Sequence, residues 1–98
     1  MFKPLDPLLH SELRLAIISL LVGMKQADFG FLKEKTAATS GNLSVQLQKL
    51  SLAGYLTIEK SFKGNYPLTT CKITTEGILA FENYVKAIRS YIENEDEK

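Results

Sequence analysis

Residues 36–56 read Thr-Ala-Ala-Thr-Ser-Gly-Asn-Leu-Ser-Val-Gln-Leu-Gln-Lys-Leu-Ser-Leu-Ala-Gly-Tyr-Leu. Leu43, Leu47 and Leu50 fall at i, i+4 and i+7, a narrow apolar stripe of helical period that has to pack on something. At 100° per residue, Gly41, Val45, Gln48, Lys49 and Leu52 point the other way, with Asn42 and Ser44 at the flanks. That outward face is small, amide-bearing and cationic, and it holds no acid. Solvated helix faces ordinarily mix Glu with Lys for i,i+4 support. Amides pair with adenine, hydroxyls meet bases or phosphates, and Lys meets guanine or phosphate. The segment therefore reads as a helix that meets nucleic acid, opened by Ser40 as N-cap and closed near Ala53 by Gly54.

Working outward, Tyr55 marks a change from helical to alternating period. Leu56, Ile58 and Phe62 suggest one strand, carrying Lys60. Lys63-Gly64-Asn65-Tyr66-Pro67 has the chemistry of a loop. Thr69 to Thr74 is rich in β-branched residues and reads as the returning strand. Cys71 alternates with Ile73 there, which suits a small, half-buried apolar role better than redox chemistry. Upstream, Asp28 is placed to cap a short helix over 29–35, with Phe29 and Leu32 inward. A first helix is expected over 7–23, with Asp6 as N-cap, Pro7 at the first helical position and Gly23 at its end. This helix is apolar on two opposed stripes, Leu13, Ile17, Leu20, Met24 and Leu8, Leu15, Ile18, Val22. A chain this small cannot easily cover both, so the second stripe calls for another chain or for the C-terminal helix.

Thr75 and Glu76 open the last helix, where Ile78, Phe81, Val85, Ile88 and Ile92 follow 3-4-3-4 spacing, a heptad seam widened by Tyr84 and Tyr91. A regular seam on a terminal helix predicts self-association. Residues 93–98, Glu-Asn-Glu-Asp-Glu-Lys, are expected to fray.

Composition sets the outer bounds. The chain has 98 residues, enough for one core and hence for a single domain over 1–98. Net charge is only +1, yet residues 25–72 carry seven lysines against three acids, and residues 82–98 carry five acids against three bases. A basic middle with an acidic end suits a domain that meets a polyanion through its centre. One cysteine and one histidine exclude an intrachain disulfide and a cysteine metal cluster; no metal or cofactor is expected. The apolar run Leu15–Val22 is too short to span a bilayer. Asp6 and Glu12 are wrong for a secretory leader, so a cytoplasmic protein is expected. Neither a nucleophile–base set nor a Gly-rich phosphate loop is present, which argues against an enzyme.

The order helix, helix, polar-faced helix, basic hairpin, helix resembles the winged helix-turn-helix of transcriptional regulators, a mainly α fold with a small β-hairpin wing. It is most similar to short MarR/ArsR-related families that end in one dimerisation helix, here 75–92. Gly41-Asn42-Leu43-Ser44, Leu47, Lys49-Leu50, Ala53-Gly54-Tyr55, Gly64, Pro67, Thr69-Thr70 and Glu76-Gly77 carry the resemblance. It implies a homodimeric regulator of double-stranded DNA with a pseudo-palindromic site, helix 40–53 in the major groove and wing 60–72 on the backbone or minor groove. Asn42, Ser44, Val45, Gln48 and Lys49 would meet bases and nearby phosphates. Ser40, Gln46, Lys60, Lys63, Asn65, Tyr66 and Thr69 would hold the backbone. Leu8, Leu15, Ile18, Val22, Ile78, Phe81, Tyr84, Val85, Ile88, Tyr91 and Ile92 would form the dimer interface. The chain departs from these families at Val45 and Gln46 and at the wing tip, Asn65 and Tyr66, where basic residues are common. It also lacks the extra helices that build an effector pocket. The alternative is a winged-helix module that docks on protein.

Overall fold

Asp6 and Ser11 share the work of starting the first helix. In the computed structural model, which describes residues 1–93, α1 spans Glu12–Met24. The carbonyl of Asp6 accepts from Leu9 and His10, and its Oδ1 accepts from the Leu8 N–H at 2.9 Å, closing an isolated turn. Ser11 is extended, at φ −151°, and its hydroxyl caps α1 through the Arg14 N–H. The helix therefore begins five residues later than Asp6-Pro7 suggests. The break turns Leu9 fully into the core. Gly23 does not end α1 either: the residue that turns to positive φ is Lys25, at φ 75°, whose N–H reaches the Leu21 carbonyl. A helix stops where the chain needs positive φ, and a glycine two residues earlier only weakens it.

Strand β1, Gln26–Asp28, follows, and α2 is Phe29–Thr36 with Asp28 as its N-cap, Oδ1 accepting from Phe31 N–H at 2.8 Å. Helix α3, Ser40–Leu52, is capped by Thr39 rather than Ser40, the Thr39 hydroxyl accepting from Asn42 N–H at 3.1 Å. At its end Gly54 takes φ 83°, and the N–H groups of Gly54 and Tyr55 return to Ser51 and Leu50. Leu43, Leu47 and Leu50 are its buried residues, as the stripe requires.

Strands β2, Leu56–Lys63, and β3, Tyr66–Ile73, pair antiparallel with Lys63 opposite Tyr66. The turn is thus only Gly64-Asn65, with Gly64 at φ 64° and Asn65 outside the positive-φ region, the II′ pattern that matches strand twist. The expected five-residue loop is shorter because Lys63, Tyr66 and Pro67 join the ladder. Pro67 is tolerated because β1 covers β3 only at 70–72, so β3 is a free edge further out. The sheet order is β1-β3-β2.

Helix α4, Thr75–Ile92, is capped by Thr74, whose hydroxyl accepts from Gly77 N–H and donates to the Gly54 carbonyl. Gly77 lies against the Tyr55 backbone carbonyl, leaving no room for a Cβ. One core joins all these elements: Leu9, Ile17, Ile18, Leu21, Ala27, Leu32, Leu43, Leu47, Leu50, Leu56, Cys71 and Tyr84. Each such aliphatic side chain contributes about 1.5–3 kcal/mol by leaving water. Among the described residues no helix is long and apolar enough to cross a membrane, and no cluster of His, Cys, Asp and Glu could hold a metal. Of the expected frayed tail, 94–98 lies outside the described residues.

Candidate nucleic-acid interface

With one side of α3 spent on the core, its other side is presented whole. Ser40, Gly41, Asn42, Ser44, Val45, Gln48 and Lys49 are all exposed, and Val45 keeps 51 % of its surface. Gln46 differs from the others. It is half-buried, its Oε1 accepting from Arg14 Nη1 at 2.5 Å while its Nε2 donates to Asn42 Oδ1 at 2.9 Å. Arg14 Nε donates in turn to the Leu8 carbonyl at 2.6 Å. A chain of hydrogen bonds therefore runs from the turn before α1 to the first turn of α3. It occupies one lone pair of Asn42 Oδ1 and turns the Asn42 amide into a preset donor. Gln46 is thus a brace for Asn42.

Beside this face, Ser44, Gln48 and Ser51 of α3 look across a channel of about 750 Å³ at Lys60 and Thr69 of the hairpin, with Phe29, Leu47 and Ile58 as its floor. Hydroxyls, an amide and an ammonium around an apolar floor suit the ridge of a phosphodiester backbone. The hairpin divides its polar residues by strand alternation. Lys60 and Thr69 are register partners on the α3 side, whereas Lys63 and Tyr66 pair on the opposite side, with Asn65 in the turn between them. The structure thus brings Lys60 and Thr69 to α3 and leaves Lys63, Asn65 and Tyr66 at the tip. The hairpin's acid, Glu59, is neutralised by Lys72 at 3.3 Å.

The expected self-association surface changes in detail. Ile18 is fully buried and Tyr84 nearly so, both against their own chain, so Ile18 has no surface left for a second chain. Tyr84 also bonds His10 Nδ1 at 2.9 Å through its hydroxyl. Tyr91 stacks on Phe2, with centroids 4.8 Å apart. The physical reason is that the buried face of α4 is the one carrying Gly77, Tyr84 and Ala87, about a quarter-turn round the helix from the heptad seam. What remains is a groove of about 510 Å³ lined by Leu15, Ser19, Phe81, Tyr84, Val85, Ile88, Arg89 and Ile92, almost all apolar. Leu8, Val22 and Ile78 are half-buried and do not line it.

Burial and hydrogen bonding shift the Tyr55 phenol and the Cys71 thiol. The hydrogen bond from the Tyr55 hydroxyl to Asp6 Oδ2, at 2.6 Å, pushes the phenol up to about 12, helped by burial and by the carboxylate charge. Burial pushes the Cys71 thiol up to about 11, and Cys71 is wholly rather than half buried, which leaves little thiolate for chemistry.

Sequence reasoning missed Arg14, Ser51 and Phe29 at this site. Ser51 was readable, being i+7 from Ser44 and i+3 from Gln48. Arg14 was not, since its partner lies 32 residues away.

The residue pattern of the winged helix DNA-binding domain family matches residues 13–92. An uncharacterised protein of Methanocaldococcus jannaschii is 38 % identical over 85 residues, 87 % of this chain and 92 % of that protein. A transcriptional regulator homologue from Pyrococcus horikoshii OT3 superposes with a TM-score of 0.83 at 23 % identity, over 89 % of this chain and 86 % of that one. NadR, in its complex with 4-hydroxyphenylacetate, superposes with a TM-score of 0.71 at 21 % identity, over 93 % of this chain and 67 % of that one.

Proposed function

The chain belongs to the winged helix DNA-binding domain family, and from that premise we propose that it is a sequence-specific transcriptional regulator of double-stranded DNA, acting in the cytoplasm as a homodimer of one-domain subunits without catalytic activity. The carrying observation is the continuity of an acid-free surface from α3, across the channel, to Lys60 and Thr69. Helix α3 enters the major groove, where Asn42, Ser44, Val45, Gln48 and Lys49 reach base edges and nearby phosphates. A backbone ridge fills the channel, and the hairpin reaches the neighbouring minor groove. Ser40, Lys60, Lys63, Asn65, Tyr66 and Thr69 hold the backbone, and Gln46 acts through Asn42. The groove between α1 and α4 covers its counterpart across a two-fold axis, which sets two reading helices on a pseudo-palindromic site.

A second reading has its own observation. Leu52 is 88 % exposed at the end of α3, an apolar residue that a protein-docking module would use. Ionic strength separates the two. DNA binding weakens steeply as counterion release loses its advantage, whereas apolar docking does not. The test is selection from random duplex DNA, then fluorescence anisotropy on the selected and a scrambled duplex across a salt series. Symmetric half-sites about one helical turn, ~10 bp, or a multiple apart support the regulator. A wild-type protein indifferent to every duplex refutes it.

A further inference from the structure

The outer half of the hairpin carries a feature that phosphate contact does not use. Phe62 is 74 % exposed, and its register partner is Pro67, also exposed. Alternation places this pair on the same face as Lys60 and Thr69, the face turned toward α3. Phe62 stands two residues beyond Lys60, about 7 Å further toward the tip at strand rise. Outward along that face come Ile58 and Cys71, which the core consumes, then Lys60 and Thr69 on the channel, then Phe62 and Pro67 in the open. Among the described residues Phe62 has no ring or cation partner, while Phe31 lies under the Lys35 ammonium and Phe2 stacks on Tyr91. The cations beside it, Lys60 and Lys63, have no acidic partner among the described residues, and Glu59 is held by Lys72. The tip therefore offers an apolar wedge between unpaired positive charges.

We propose that Phe62, backed by Pro67, is a wedge that enters the minor groove of duplex DNA and partly unstacks a base step there. The proposal rests on the DNA-binding reading above and adds how the hairpin contributes to it. With α3 in the major groove and one backbone ridge in the channel, the next opening the hairpin meets is the minor groove. Lysines on both hairpin faces set the tip between its phosphate walls, and an aromatic edge is what it delivers to the floor. Apolar side chains used this way kink DNA toward the major groove, at a cost that is lowest for flexible pyrimidine–purine steps. The wedge therefore favours TA or CA steps flanking each major-groove half-site, at positions where no amide of α3 reaches. It also gives a chain poor in wing arginines a route to affinity that salt does not weaken.

The experiment compares wild type, Phe62→Ala, Phe62→Leu and Lys60→Ala on the selected duplex. Anisotropy gives affinity and its salt slope, end-to-end energy transfer gives the bend, and 2-aminopurine at the flanking step reports unstacking. Phe62 lies outside the core, so its truncation leaves the fold intact. Wild type is expected to bend the duplex and raise 2-aminopurine fluorescence. Phe62→Ala is expected to lose both and to bind roughly 5- to 100-fold more weakly, with an unchanged salt slope. Phe62→Leu retains part of the bend, and Lys60→Ala flattens the slope but keeps the unstacking signal. Wild-type binding that Phe62→Ala leaves equally tight and equally bent overturns the wedge and spares the regulator. Failure of wild type to bind any duplex overturns both.

Discussion

Arg14 Nη1 and Gln46 Oε1 lie 2.5 Å apart, a hydrogen bond between α1 and α3 that spans 32 positions of sequence and stands one bond behind Asn42. The guanidinium serves two acceptors at once, the Leu8 carbonyl through Nε and Gln46 through Nη1, a geometry that a single ammonium cannot copy. Arg14→Ala leaves both acceptors without a donor and is expected to lower unfolding free energy by about 1–3 kcal/mol. It also releases Gln46, so Asn42 loses its orientation and discrimination between selected and scrambled duplex falls. Arg14→Lys is expected to restore some stability and little discrimination. Urea denaturation and anisotropy on the same preparations check this; equal discrimination in wild type and Arg14→Ala would remove the brace from the mechanism.

Glycines 23 and 77 test the packing on opposite sides. A Cβ at Gly77 meets the Tyr55 carbonyl, which is backbone and cannot swing away, and the Ile73 side chain also lies within 2.8 Å. Gly77→Ala is expected to destabilise by about 1–3 kcal/mol, lowering Tm by roughly 4–8 °C per kcal/mol in a domain this size. Gly23 sits inside α1 with nothing within 4 Å of an added Cβ. Gly23→Ala is expected to stabilise by about 0.5–1 kcal/mol. Calorimetry on the two variants reads both signs.

Tyr55 predicts a loss of stability at high pH. Its folded pKa is raised from 10.0 to about 12, chiefly by the bond to Asp6. A phenol that holds its proton more tightly when folded stabilises fully below its unfolded pKa and loses that contribution as pH rises through the folded one. The window is thus pH 10 to 12. Tyr55→Phe is expected to start less stable at neutral pH, by about 0.5–1.5 kcal/mol, and to lack this component of the alkaline decline. Parallel slopes in the two proteins between pH 10 and 12 would show that the bond to Asp6 does not set this titration.

The groove between α1 and α4 makes the oligomeric prediction. Val85 and Ile88 line it half-buried, on the seam that the intrachain contact leaves uncovered. Val85→Asp with Ile88→Asp is expected to cost several kcal/mol of association, because each charge enters an apolar surface without a partner. Analytical ultracentrifugation of wild type is expected to give a dimer at micromolar concentration and the double variant a monomer. A monomeric wild type would return the groove to other uses and require a single asymmetric DNA site.

What could be read from the sequence follows the range of the interaction. Leu43, Leu47 and Leu50 declare their helix because one period decides their fate, and the cap of α2 by Asp28 is equally local. Strand β1 escaped because Gln26-Ala27-Asp28 has no alternating pattern; it exists because β3 offers an edge, pairing Ala27 with Cys71. The start of α1 was misread for a related reason. Asp6 does cap, but it caps one turn, and its other oxygen goes to Tyr55, 49 residues on. At the candidate site, the exposed face of α3 was legible from period and composition. The bracing of Gln46 by Arg14, and the split of Lys60 from Lys63 across the hairpin, needed the register and the tertiary contact.

Two kinds of contact separate at Gln48 and Lys60, which face one another across the channel. Lys60 is an exposed ammonium lining the channel proposed to take the DNA backbone, so Lys60→Ala is expected to weaken all duplexes alike. It also flattens the slope of log affinity against log salt by about 1 for the lost phosphate. Gln48 stands exposed on the outward face of α3, with no side-chain hydrogen bond among the described residues, so both its amide atoms can pair with a base edge. Gln48→Ala is expected to cost about 1–3 kcal/mol on the selected site and nothing on the scrambled one, relaxing preference at one base position in each half-site. Asn42, whose Oδ1 is already engaged by Gln46, has only its amide N–H left to offer a base edge, so Asn42→Ala is expected to show a smaller loss. Anisotropy on both duplexes, across a salt series, yields all three quantities. If Gln48→Ala and Asn42→Ala leave discrimination untouched while Leu52→Ala abolishes binding to a protein partner, α3 is a docking surface and the regulator reading gives way to it.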